Sequence, residues 1–135
     1  MKDIYISETN AVQRQELIIE GDAHSVWAYV LNLPENKVKF DGFVCSRGTI
    51  VERSEEVKEF IAKGISPPLM KRYSNQYSIQ TGLESRHIQI DWRENTISIK
   101  VREVDFLILD LENQISYTKA VSNNGPYGSP LTEIV

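Results

Sequence analysis

Residues 87–101 read HIQIDWRENTISIKV, and the alternation in this stretch constrains the chain more than any other feature. Ile88, Ile90 and Trp92 alternate with Gln89 and Asp91; Ile97, Ile99 and Val101 alternate with Ser98 and Lys100. A period of two marks strands buried on one face. With Glu94-Asn95 as a two-residue turn, Trp92 faces Ile97, Ile90 faces Ile99 and Ile88 faces Val101. Every apolar side chain then falls on one face, and a slip of one residue would destroy that agreement. Asn95 also suits the left-handed conformation that such turns favour.

The following stretch, REVDFLILDLENQISY, continues the alternation with Val104, Phe106 and Ile108 and predicts a strand that pairs back on 96–101 as a meander. Arg102-Glu103 is not a preferred turn pair. Leu107 and Leu109 add apolar groups to the other face, which predicts cover on both sides. Residues 115–120 predict one more short strand. Upstream, VWAYVL at 26–31 is open to two readings, strand or a short helix capped by Asp22 or Ser25. Its shortness, the LPENK turn after it and the β-like VKFDGFVC beyond favour a strand hairpin. Gly42 inside the second run predicts a bulge or bend. ELIIEG at 16–21 predicts another strand, and DIYIS at 3–7 a weak one.

One segment predicts a helix, near residues 54–63. In SEEVKEFIAKG, Ser54 is the expected N-cap and Glu55 and Glu56 suit the positive end. Val57, Phe60 and Ile61 form an apolar stripe, and Gly64 is a stop. SPPLMKRY beyond it is expected to be irregular, because Pro67 and Pro68 remove two backbone donors. The expected fold class is therefore α+β: mainly antiparallel sheet, in hairpins and a meander, with one short helix. At 135 residues the chain fits a single globular domain, 1–135, long enough to bury about two-thirds of its unfolded surface. Residues 122–135, beginning SNNGPYGSP, are expected to be a turn-rich tail docked through Tyr127 and Leu131.

The chemistry-bearing residues are sparse. Fifteen Lys and Arg against nineteen Asp and Glu give a net charge of −4, with 41% hydrophobic and 25% charged residues. That balance argues against general nucleic-acid binding, which needs a basic surface to displace counterions. The first ten residues lack the apolar core of a secretory signal, and no run approaches the roughly 18 apolar residues of a membrane helix. A cytoplasmic location and no membrane association are the expectation. Cys45 is alone, so it forms no internal disulfide. His24 and His87 are the only histidines, and no pair has metal-ligand spacing; Asp22 and His24 make half a site at best. Gly125 and Gly128 do not make a phosphate loop, since Pro126 and Pro130 lack donors and no Lys follows. No catalytic residue, cofactor or metal is assigned. An acidic helix face (Glu52, Glu55, Glu56, Glu59) and the cluster Lys71, Arg72, Tyr73 in MKRYSNQY, expected to be a solvated loop, are the two candidate partner-binding patches.

DAHSVWAYVL…DGFVCSRG, then SPPL, then IQIDWRENTISIKV, then GPYGSPLTE together resemble a family of small bacterial proteins that end in a Gly-Pro-Trp-Gly-x-Pro-Trp motif. The resemblance spans roughly residues 16–133. Tyr127 and Leu131 stand here where the family has its two tryptophans. Some members look like immunity proteins that neutralise a partner toxin, and the resemblance implies no catalytic residue. The leading expectation is a protein-interaction module, an immunity-type inhibitor that binds and occludes a toxin. The alternatives are a small-ligand-binding domain or enzyme with a pocket between sheet and helix, starting from His24, Asp41 and Cys45, and a homo-oligomeric subunit joined through an edge strand.

Overall fold

The computed structural model describes residues 2–131. Four strands, β1 (Ile4–Asn10), β2 (Gln15–Gly21), β3 (Ser25–Asn32) and β4 (Lys37–Ser46), form an antiparallel meander in chain order. β5 (Ile50–Val51) leads into α1 (Ser54–Ala62), and β6 (Leu69–Met70) returns to pair in parallel with β5. A second sheet follows: β7 (Ile88–Trp92), β8 (Thr96–Val101), β9 (Val104–Asp110), β10 (Ile115–Thr118) and the short β11 (Ser129–Pro130), which lies parallel to β10. The class is α+β, mostly antiparallel sheet with a single short helix among the described residues. Among the described residues no helix is long and apolar enough to cross a membrane.

The two sheets share one buried cluster, with Leu17, Ile19, Ala28 and Val30 from the first and Ile97, Ile99, Leu107 and Leu109 from the second. They come into backbone contact where Gly42 lies against β9 and β10. A Cβ there would sit 2.8 Å from Ser116 Oγ and 2.9 Å from Leu107 Cδ1. Gly42 is therefore not the bulge expected of it. It pairs with Ala28, and the register steps fall on either side, leaving Lys39 and Val44 unpaired. Glycine is needed at this position because a second sheet touches the backbone.

The β7–β8 hairpin pairs Trp92 with Ile97, Ile90 with Ile99 and Ile88 with Val101. Asn95 is not left-handed; the left-handed pair is Arg102 (φ 50°) and Glu103 (φ 70°) in the next turn. Two adjacent positive φ values are what the right-handed strand twist asks of a two-residue hairpin, even when the residues are poor at it. In β9 the register steps between Ile99 and Lys100 and leaves Phe106 without a partner. That bulge puts Phe106 and Leu107 both in the interior and leaves Val104 exposed, and it is Leu107 and Leu109, not Phe106 and Ile108, that pair with Ile99 and Ile97. The last meander strand ends at Thr118, short of the expected residue 120.

Helix α1 begins with Ser54 as its first helical residue, not its cap. Arg53 is the extended residue before it, and Glu56 Oε1 accepts from the Arg53 N–H at 3.2 Å. Gly64 (φ +76°) closes the other end, with its N–H on the Ile61 carbonyl at 2.9 Å. Val57 and Phe60 pack on the core, but Ile61 is 54% exposed.

Candidate functional site

β3 and β4 are covered on both faces. Ala28 and Gly42 face the second sheet, while Trp27 and its partner Phe43 point the opposite way. On that outer face lie α1, the Pro67-Pro68 segment and the 122–131 tail. Pro67 and Pro68 have no N–H to offer, yet their carbonyls still need donors. The Trp27 indole N–H donates to the Pro67 carbonyl at 3.0 Å, and the Tyr127 hydroxyl donates to the Pro68 carbonyl at 2.6 Å. The same hydroxyl accepts from the Met70 N–H at 3.1 Å. Tyr127 is 3% exposed, and its ring meets Trp27 at 5.8 Å, Phe43 at 5.2 Å and Tyr73 at 5.4 Å. Its phenol is pushed up to about 12 by burial.

The glycine-rich stretch is thus a tight turn that inserts an aromatic plug. Gly125 and Gly128 exchange backbone hydrogen bonds, and any Cβ on Gly125 would overlap the Tyr73 ring. The Tyr127 carbonyl accepts from the Phe43 N–H at 3.1 Å, so the plug also occupies the free edge of β4. Leu131 is half-buried, with its N–H on the Thr118 carbonyl at 3.0 Å; residues 132–135 of the expected tail lie outside the described residues.

Between α1 and this plug lies a groove of about 340 Å³. Trp27, Met70 and Tyr127 contribute apolar surface, Pro67 and Pro126 flank them, and Ser54, Val57, Lys58 and Ile61 line it from one side of the helix. These four positions recur at helical spacing, so one helix face is given to the groove. Asp41 is at the rim. The residue is exposed, yet enough protein surrounds its carboxyl to push it above its ordinary 3.8. Burial is the cause of the shift. Volume and lining match what ligand and side-chain recognition use, an apolar recess with few polar groups.

The expected site residues are distributed unevenly around the groove. Glu52, Glu55 and Glu59 are exposed but do not line it. Glu56 is engaged at the helix start, and Glu52 pairs with Lys71 at 3.5 Å, so the acidic and basic patches meet and partly neutralise each other. Arg72 lies over the Tyr73 ring at 5.0 Å. Tyr73 is not on a solvated loop. Lys71–Tyr73 form a 3-10 turn, the Tyr73 carbonyl accepts from the Ser122 N–H at 2.9 Å, and its ring packs on the plug. Neighbouring Asn75 and Ser78 are bound to the Lys119 and Ala120 carbonyls. The segment therefore serves to seat the tail.

The three starting points for a catalytic pocket do not converge. Cys45 is fully buried with its thiol pushed up to about 12, so it is no nucleophile as placed. His24 Nδ1 is 2.7 Å from Thr49 Oγ1, and its ring stands edge-on to Phe60. Asp22 accepts from the His24 and Ser25 N–H groups, a turn role. No group of three or more His, Cys, Asp or Glu is placed to hold a metal among the described residues. Trp27, Met70, Pro126 and Tyr127 were not read as site residues, because each looks like core or turn in isolation; only the aromatic in a glycine-proline turn hinted at docking. Comparison with known proteins finds no matching family model, no matching curated protein and no matching solved structure.

Proposed function

We propose that the protein is a protein-binding module and that its recognition surface is the groove between α1 and the outer face of β3–β4. The observation that carries this reading is the apolar recess that Trp27, Met70, Tyr127 and one face of α1 enclose, with the Asp41 carboxylate at its rim. Charge complementarity favours a partner segment in which an apolar side chain enters the recess and a neighbouring Lys or Arg meets Asp41. An immunity-type role fits this reading: the partner would be a toxin whose active surface is occluded when its basic segment is seated. That part rests on the resemblance of the sequence to small bacterial immunity-like proteins.

The test is a photo-crosslinker placed at Ile61, with a control at exposed Val104 on the other sheet. One partner is expected to crosslink from position 61 and not from 104, and Ile61→Glu and Asp41→Lys should each weaken its binding at least tenfold. Both sites are solvent-facing, so unchanged melting temperatures will show that folding is intact. Equal binding by wild type and both variants overturns the groove as the surface. For the inhibitory role, co-expression with the crosslinked partner should relieve its toxicity, and Ile61→Glu should abolish relief; a partner unaffected by the wild-type chain removes that role. Saturable quenching of Trp27 by a small apolar cation, with no protein crosslink, would replace the protein-partner reading with a ligand-pocket one.

A further inference from the structure

The outer face of the first sheet continues past the groove on the far side of Asp41. Paired residues of adjacent antiparallel strands share a face; there Asp41 pairs with Tyr29, and Tyr29 with Ile18. One row further on, Val38 pairs with Leu31, and Leu31 with Glu16. Val38 and Asp41 are three positions apart, which in an unbroken strand would put them on opposite faces. Lys39, left unpaired by the register step, brings both to the outer side. The two rows make an apolar platform of Ile18, Tyr29, Leu31 and Val38 that adjoins the recess through Asp41. Its cover is incomplete: Val38 is 55% exposed, and Ile18 and Tyr29 are half-buried.

The carboxylates of this face decide what can cover it. Glu16 and Asp41 stand at opposite corners of the two rows, and neither makes an ion pair among the described residues. Glu20, beside Trp27 on the same face, is already held by Lys2 at 2.7 Å. A second copy laid face to face would bring the unpaired carboxylates together, and the net charge of −4 adds to the repulsion. A partner whose apolar side chains are flanked by Lys or Arg meets no such opposition.

We propose that this platform is a second subsite of the groove, and that one extended basic and apolar protein segment occupies both. The inference rests on the groove being a protein-binding surface. One apolar side chain enters the recess, an Arg or Lys meets Asp41, and a second apolar side chain covers Tyr29 and Leu31. Alternate side chains of an extended segment point the same way at intervals of about 7 Å. Apolar, basic and apolar residues at every second position therefore match the succession of recess, Asp41 and platform.

The probes are three capped peptides, Leu-Ser-Arg-Ser-Leu, Leu-Ser-Arg-Ser-Ser and Leu-Ser-Glu-Ser-Leu, titrated while amide and methyl NMR shifts are followed. The first peptide is expected to shift Trp27 and Met70 together with Ile18 and Val38, saturating with one dissociation constant. Loss of its second leucine should weaken binding about fivefold and remove the Ile18 and Val38 shifts. Val38→Lys, at an exposed position, should weaken the first peptide by a similar factor and leave the one-leucine peptide unaffected. Equal affinities for the two arginine peptides, with shifts confined to the recess, overturn the second subsite and leave the groove standing. Absence of saturable shifts at either place overturns both. A glutamate peptide that binds as well as the first overturns the basic character of the occupant. Val38 shifts that grow with protein concentration in the absence of peptide assign the platform to a second copy and overturn the proposal.

Discussion

Tyr127 is the residue on which most of the outer-face cover depends. Its hydroxyl holds two backbone groups, the Pro68 carbonyl and the Met70 N–H. Tyr127→Phe keeps the ring contacts and removes the hydroxyl partner of both groups, so it should lower unfolding free energy by about 1–3 kcal/mol in a urea titration. Tyr127→Ala also empties a site between Trp27, Phe43 and Tyr73, and about 3–5 kcal/mol is expected. An equal small loss for both would show that the plug does not hold the Pro67-Pro68 segment.

At the scale of elements, the β7–β8 hairpin was legible because alternation on both arms and the turn length demand the same register. The bulges at Lys39, Val44 and Phe106 were not, because an unpaired residue leaves no local mark. Reading Val104, Phe106 and Ile108 as one continuous face of β9 follows from assuming an unbroken period of two, which the bulge at Phe106 interrupts. The 102–103 turn escaped for a related reason: strand twist imposes positive φ on residues that do not prefer it. Glu103 sits at φ 70° and is exposed, and a left-handed side chain costs roughly 1–2 kcal/mol against glycine. Glu103→Gly should therefore raise stability, by up to about 1 kcal/mol after the entropy glycine adds to the unfolded chain. Arg102 is a poor site for the same change, since its guanidinium donates to Gln80 and Thr81. A lower midpoint for Glu103→Gly in thermal unfolding would mean that the turn is held by contacts of the Glu103 side chain.

For the whole molecule, the groove and its rim are assembled from β3, β4, α1, the proline pair and the tail, segments separated by up to a hundred positions. No window of sequence contains that recess, which is why Trp27, Asp41, Ile61 and Tyr127 read separately as strand, strand, helix stripe and turn. The tail is the piece that closes the assembly. It supplies the ring under the groove, a strand beside β10 and the carbonyl that occupies the Phe43 N–H on the edge of β4. Removing residues 122–135 would expose Trp27 and Phe43 and leave an open, apolar strand edge, the combination that templates pairing with other chains. The truncated chain is expected to associate beyond the monomer in light scattering at concentrations where the full chain does not, and to bind a dye that reports exposed apolar surface. Restoring the missing segment as a separate 122–135 peptide should reverse both effects, since the plug and its bonds form between groups that need not be covalently joined. The same peptide carrying phenylalanine in place of Tyr127 should reverse them less well, because it refills the aromatic site and leaves the Pro68 and Met70 backbone groups without their hydroxyl partner. A truncated chain that stays monomeric and cooperative would mean that the first sheet is stable with its outer face bare, and the tail would then be a lid on the groove instead of part of the core.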